Sequence, residues 1–127
     1  MRMKRFVIES WLLLLFFEFT MWWRGFPAVC RLVRKHPVRS LAASDRFPRK
    51  DLCRAMDLAC VFYFKTVMCL QRSAATTLLL RRYGWSAEMV TGAQILPFKS
   101  HAWVEIEGGV VNDKPYVVDI YHELERC

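Results

Sequence analysis

Three side chains in the second half of the chain have the types and spacing needed to cleave an amide bond. Cys69 supplies a thiol, His101 follows it by 32 positions, and Asp113 follows the histidine by 12. Cleavage by a thiol needs a thiolate, an imidazole that pairs with it and then protonates the leaving amine, and a third group that fixes the imidazole tautomer. Taken singly, these residues also fit a buried thiol, a strand histidine and a turn aspartate. Together they predict a catalytic triad, with Asp119 as the rival for the third position.

The candidate nucleophile stands at the start of a predicted helix. Arg81 and Arg82 occupy the last turn of a helix-periodic segment and Gly84 ends it, so the helix begins at or near Cys69. The positive end of the helix dipole favours a thiolate at that position. The backbone N–H of Cys69 is a candidate donor to an oxyanion.

The remaining cysteines have no comparable setting, and we interpret them as small core residues. They are Cys30, Cys53, Cys60 and Cys127. The total of five is odd and no Cys-x-x-Cys pair is present, which argues against a disulfide framework or a zinc site and favours a reducing compartment. The sequence therefore predicts no metal ion and no cofactor.

The candidate histidine opens the most regular alternation in the sequence. Residues 87–95 predict a first strand and residues 101–107 a second, with His101, Trp103 and Glu105 on one side. We expect Trp103 to be a core residue that could also wall the site.

The turn after that strand decides whether the aspartate can reach the histidine. We expect residues 110–121 to return as one strand, with Pro115 as a possible interruption. A three-residue loop over 107–109, with Gly109 at positive φ, would place Asp113 on the side of His101. A two-residue turn would place it on the other side, which would favour Asp119.

The first half of the chain predicts helices. Residues 50–64 show helical spacing, and a proline-rich loop before them carries a short helical turn around 29–35. The very apolar start, residues 6–23, has three interpretations: a signal peptide, a transmembrane helix, or a helix of the domain. Because Glu9 and Glu18 interrupt the apolar run, we favour a domain helix. Its all-round apolar surface is expected to meet a partner protein or a membrane.

Length and composition predict one domain of class α+β. At 127 residues, a helical part (1–66) would pack on a nucleophile helix and small antiparallel sheet (67–127). The net charge of +7 comes from scattered basic residues without the aromatic interleaving of a single-strand binder, so we expect no nucleic-acid partner.

Two stretches, CLQRSAATTLLLRRYG and HAWVEIEGGVVND, give the chain a resemblance to a known family. Over residues 69–113 it resembles the leader peptidases of lasso-peptide biosynthesis, which are transglutaminase-like cysteine proteases. The resemblance implies a transglutaminase- or papain-like core and a triad of Cys69, His101 and Asp113. It also implies a ribosomally made precursor as substrate, cut after a penultimate leader threonine, as in antibiotic biosynthesis.

The same resemblance implies partners and a location. The chain is similar to the split form of the family, in which a separate leader-recognition protein binds the precursor. An asparagine-synthetase-like cyclase would then close the ring, and the location would be cytoplasmic, with possible membrane contact through residues 6–23. Two alternatives remain: a transglutaminase-like acyltransferase that uses the same triad, and a non-catalytic, membrane-anchored binding protein.

Overall fold

The computed structural model describes residues 2–38, 47–95 and 97–127. Helices dominate the first part of the chain, and an antiparallel sheet follows, as the predicted α+β class requires. The helices are α1 (Arg2–Arg24), α2 (Phe26–Lys35), α3 (Arg49–Phe62), α4 (Cys69–Arg82) and α5 (Val117–Ile120). The strands are β1 (Ala87–Gln94), β2 (Lys99–Ile106), β3 (Gly109–Val110) and β4 (His122–Arg126).

The predicted helices are present, but α2 is longer than the expected short turn. It begins at Phe26 because Pro27, which lacks an N–H, fits the first turn of a helix without losing a hydrogen bond. Gly25, with a φ of 78°, separates it from α1. The rest of the expected loop, residues 39–46, lies outside the described residues.

The main core lies between α1, α3 and α4 and one face of the sheet. Its largest fully buried side chains include Leu14, Phe17, Leu52, Met56 and Leu79. Val104 and Ile106 of β2 join this cluster, whereas Trp103 joins a second, smaller one with Val90 and Val117. The predicted alternation along β2 is therefore confirmed.

The two carboxylates of α1 are paired with side chains of the fold. Glu9 accepts hydrogen bonds from Arg82, at 2.9 Å, and from the Tyr83 hydroxyl. Glu18 accepts a hydrogen bond of 2.8 Å from Lys65 and is also bonded to the Tyr63 hydroxyl. By length and composition α1 could cross a membrane, but here it packs on α3 and α4 as a domain helix.

The sheet has the strand order β3-β2-β1-β4, and β1 and β2 are antiparallel along their whole length. The register places Val90 opposite Trp103 and Gly92 opposite His101. A Cβ atom at Gly92 would lie 2.9 Å from the Trp103 ring and 2.9 Å from the His122 carbonyl oxygen, so only glycine fits beside the histidine strand.

The expectation of a three-residue hairpin loop was wrong. Ile106 pairs with Gly109, and the turn consists of Glu107 and Gly108 alone. Both have positive φ, 51° and 81°, whereas Gly109 does not. Positive φ at both central positions is the type I′ pattern, whose twist matches that of a two-residue hairpin.

The expectation of one long returning strand was also wrong. β3 ends at Val110, and only one further backbone hydrogen bond, of 3.0 Å from Val111 N–H to the Val104 carbonyl, continues its ladder. Pro115 lacks the N–H that a continued ladder would need, and α5 follows it. The chain then crosses to the other edge of the sheet, where β4 pairs with β1.

Candidate active site

Cys69 is the first residue of α4 and is exposed. The start of this helix is fixed by Gln71, which is buried. Its side-chain oxygen accepts a hydrogen bond of 3.4 Å from the Met68 N–H, and its amide nitrogen donates one of 2.8 Å to the Leu14 carbonyl of α1. Glutamine at the third position of a helix is a known capping signal. The thiol therefore projects from a helix end that is tied to α1.

The other end of α4 is held by Arg81, which the sequence presented only as a basic residue in the last turn. Its guanidinium is buried and donates to the Ala87 carbonyl at 2.8 Å and the Cys127 carbonyl at 3.1 Å. It also bonds to the Val33 carbonyl of α2. Burial lowers the pKa of Arg81. These bonds join α4 to β1, to the residue that follows β4, and to α2.

His101 and Asp113 are in direct contact. Nε2 of the imidazole is hydrogen-bonded to Oδ2 of the carboxylate, whose Oδ1 accepts a 2.7 Å hydrogen bond from the Lys114 N–H. Burial acts to raise the pKa of Asp113, but the hydrogen bonds from His101 and Lys114 outweigh it, and the pKa is lowered. The carboxylate is thus held in its charged form beside the ring.

Asn112 explains how Asp113 reaches His101 although the hairpin has the unfavourable register. Its side-chain oxygen accepts a 2.8 Å hydrogen bond from the Val104 N–H, so a side chain takes the place of the strand backbone. Its amide also contacts the Ser73 hydroxyl of α4 at 3.5 Å. The chain therefore bends out of the ladder, and the side that Asp113 takes is no longer set by strand alternation.

Two aromatic rings flank the imidazole. The His101 ring centroid lies 5.3 Å from that of Tyr121 and 6.1 Å from that of Trp103, which is stacked at 29°. Trp103 is buried and donates a 2.8 Å hydrogen bond to Glu105. Tyr121 was missed by the sequence analysis because it was placed within the single returning strand.

A cavity of about 390 Å³ lies between α4 and the sheet and is lined by residues of both. Its lining includes Cys69, Leu70, Gly92, Ser100 and His101, together with Phe26 and Leu124. No hydrogen bond joins the Cys69 thiol to the His101 ring in the described part of the chain. The structure thus brings His101 and Asp113 into contact and places Cys69 at the same cavity.

The rival carboxylate lies elsewhere. Asp119 is exposed on α5, where its N–H donates to the Tyr116 carbonyl at 3.0 Å. Among the described residues its side chain makes no hydrogen bond or ion pair with His101, so the geometry favours Asp113 as the partner of the imidazole.

One group of side chains among the described residues has the spacing of a metal site. Ligand atoms of Cys30, Glu125 and Cys127 lie within 4.8 Å of one another. Burial and the neighbouring Cys127 raise the pKa of Cys30 to about 12, and Glu125 is ion-paired with Arg34.

Comparisons with known proteins found one matching family model and one similar curated protein. Residues 11–126 match the family model described as the transglutaminase-like superfamily. The chain is also 41% identical over 51 residues to the microcin J25-processing protein McjB of Escherichia coli, a match that covers 40% of this chain and 24% of that protein. The chain therefore spans only about a quarter of that relative. No solved structure matches it. Because the family model covers nearly the whole chain, the protein belongs to the transglutaminase-like superfamily.

Proposed function

We propose that this protein is a cysteine peptidase that removes the leader from a ribosomally made lasso-peptide precursor. The observation that carries the proposal is the hydrogen bond between His101 and Asp113 at a cavity that also contains Cys69. Membership of the transglutaminase-like superfamily and the similarity to a microcin-processing protein support the same reading.

In the proposed reaction, the Cys69 thiolate attacks the carbonyl carbon of the last leader residue. The oxyanion that forms lies at the start of α4, where the Cys69 N–H has no partner within the helix. Protonated His101 gives its proton to the amine of the core peptide as the peptide bond breaks, leaving a thioester on Cys69. Water, deprotonated by His101, then attacks the thioester, and the leader departs as a carboxylate.

One ring nitrogen of His101 remains available to exchange a proton with the Cys69 thiol. Because Nε2 is bonded to Asp113, Nδ1 is the ring nitrogen that remains for the Cys69 thiol. Rotation of the Cys69 side chain within the cavity would bring the thiol toward Nδ1 when substrate binds. Catalytic hydrogen bonds commonly tighten only in the substrate complex.

The proposal extends to partners and location. A separate leader-recognition protein would present the precursor, and an asparagine-synthetase-like cyclase would take the freed core amine. Cysteines that are all free fit a reducing compartment, so we place the reaction in the cytoplasm.

The alternative of a transglutaminase-like acyltransferase uses the same thioester but transfers the acyl group to an amine. An added small amine distinguishes the two, because an acyltransferase would produce a leader that carries the amine at its carboxyl end. The proposal predicts a free leader carboxylate even when the amine is present.

The decisive experiment incubates the purified chain with precursor and leader-recognition protein and determines product masses. We expect the masses of free leader and free core peptide, and loss of both products with Cys69→Ala. Cys60→Ala is the matched control, since it removes a half-buried thiol away from the cavity. Cleavage by Cys69→Ala at the wild-type rate would refute the proposal.

A further inference from the structure

The helix α1 carries a continuous apolar stripe that the fold does not cover. Its members recur every three or four residues and therefore share one side of the helix: Ile8, Leu12, Phe16, Phe19, Trp22 and Trp23. Leu12 is 55% exposed and Trp22 78% exposed. We call these residues the α1 stripe. An apolar surface of this length on a small domain is characteristic of a binding face.

A groove continues the α1 stripe between α1 and α2. It has a volume of about 360 Å³ and is lined by Phe16, Phe19, Trp23 and Leu32, with Arg24 at its edge. Directly beside it lies a smaller pocket of about 170 Å³, which shares Arg24 and Leu32 and adds the cations Arg31 and Lys35. An apolar groove thus leads into a cationic pocket.

In α1 and α2 the basic and acidic side chains lie in different places. Residues 1–38 contain seven lysines and arginines but only two carboxylates, Glu9 and Glu18. Both carboxylates are turned into the fold and ion-paired with Arg82 and Lys65. By contrast, the basic pocket residues Arg24, Arg31 and Lys35 make no ion pair with any described residue. The exposed surface of α1 and α2 is therefore apolar and cationic.

We propose that the α1 stripe and the basic pocket dock this protein on the surface of an anionic lipid bilayer. The apolar side chains would enter the boundary between headgroups and acyl chains, and Arg24, Arg31 and Lys35 would bind lipid phosphates. Helices with an apolar face, flanking cations and tryptophans adopt this position at membranes. Trp22 and Trp23 lie at the end of the stripe next to the cations, where the headgroup level would be.

The contacts of α1 support a helix lying on the membrane over one crossing it. Leu14 and Phe17, on the opposite side, are fully buried in the core. Gln71 donates to the Leu14 carbonyl, and Glu18 is ion-paired with Lys65. A membrane-spanning α1 would break these contacts and bring two carboxylates into lipid. A docked α1 keeps all of them.

The test measures binding of the full chain to sedimented vesicles of two compositions: phosphatidylcholine alone, and phosphatidylcholine with one-third phosphatidylglycerol. We expect binding to the anionic vesicles at least about tenfold tighter, because each cation near the surface contributes about fivefold. High salt should weaken this binding. Tryptophan emission should shift to the blue as Trp22 and Trp23 enter the bilayer.

Two double variants separate the parts of the surface. The double variant Leu12→Gln, Phe19→Gln should lower vesicle binding at least about tenfold. The matched control is Val118→Gln with Ile120→Gln, which replaces two exposed apolar side chains on α5. Arg31→Gln with Lys35→Gln should lower binding to anionic vesicles about 20-fold. Lys50→Gln with Arg54→Gln on α3 removes the same charge from another exposed helix and should have a small effect.

Three outcomes would overturn the proposal. The first is equal binding to both vesicle types, and the second is unchanged binding by the stripe variant when its thermal stability matches that of wild type. The third is failure to bind anionic vesicles while the leader-recognition protein binds through the same stripe, which would make α1 a protein interface. Because none of these variants alters the cavity residues, leader removal in solution reports on the peptidase proposal independently.

Discussion

The two halves of the candidate active site are organised differently. His101 and Asp113 are three-quarters buried, hydrogen-bonded to each other and flanked by aromatic rings. Cys69 is exposed and makes no hydrogen bond to the imidazole, although the helix end that carries it is anchored by Gln71. The fold therefore holds the proposed acid–base pair together, whereas the proposed nucleophile is held through the backbone of its helix end.

The largest effect is expected from removing the imidazole. With His101→Ala, the group proposed to accept the thiol proton and to protonate the leaving amine is lost, so kcat/KM should fall on the order of 10⁴-fold. Rates of leader removal by mass spectrometry measure this effect. Retention of more than about a tenth of the wild-type rate would show that another base serves Cys69.

Asp113→Asn should have a smaller effect, because the imidazole remains but its tautomer and charge are less well controlled. We expect a loss on the order of 10²-fold in kcat. Asp119→Asn is the matched control, since it makes the same change on exposed α5. A larger loss with Asp119→Asn than with Asp113→Asn would reverse their assignment.

Gln71→Leu tests whether the helix start is held as described. The variant leaves the Met68 N–H and the Leu14 carbonyl without a side-chain partner, so unfolding free energy should fall by about 1–3 kcal/mol. Denaturant titration measures the change. If stability is unaffected, the anchoring of Cys69 to α1 has been overestimated.

The exposure of Cys69 should appear as selective alkylation. Burial raises the pKa of Cys30 to about 12 and that of Cys53 to about 11, which leaves little thiolate on either residue at pH 8. Iodoacetamide should therefore label Cys69 at least about tenfold faster than Cys30 or Cys53. Peptide mapping after short labelling times would show the order, and faster labelling of Cys53 would contradict it.

The smallest effect concerns pH. Because the pKa of Asp113 is lowered in the folded protein, its contribution to stability is present above the ordinary value of 3.8 and is lost as pH falls through the lower folded pKa. The stability difference between wild type and Asp113→Asn should be up to about 1 kcal/mol at pH 6 and should vanish well below pH 3.8. A difference independent of pH would argue against an ionised Asp113.

The sequence predicted the parts of this site that depend on local signals. The start of α4 at Cys69 followed from its C-terminal arginines and glycine, and the side of β2 that carries His101 followed from strict alternation. The turn and the returning strand could not be derived in this way. Glu107 has a positive φ that its residue type does not favour, and Asn112 replaces strand pairing with a side-chain hydrogen bond. The Asn112 hydrogen bonds join parts of the chain that are distant in sequence, so no local pattern predicts them.

Asp113 therefore lies beside His101 for a different reason than the one expected from the sequence, and its catalytic role stays a prediction. The sequence argument required an odd-length loop to bring the carboxylate to the side of His101. The structure instead has a two-residue turn, and Asp113 reaches the imidazole because the chain leaves the ladder after Val111. Contacts such as Gln71 to Leu14, separated by 57 positions, carry no local sequence pattern beyond the cap.

In the proposed mechanism, Cys69 attacks the peptide while His101, held by Asp113, moves the proton. An acid quench during the first turnover with precursor, followed by intact-mass and peptide mapping of the protein, tests this step. We expect a thioester that joins the leader to Cys69, absent from Cys69→Ala and strongly reduced in His101→Ala. Leader removal without any acyl adduct, or an adduct on another cysteine, would contradict it.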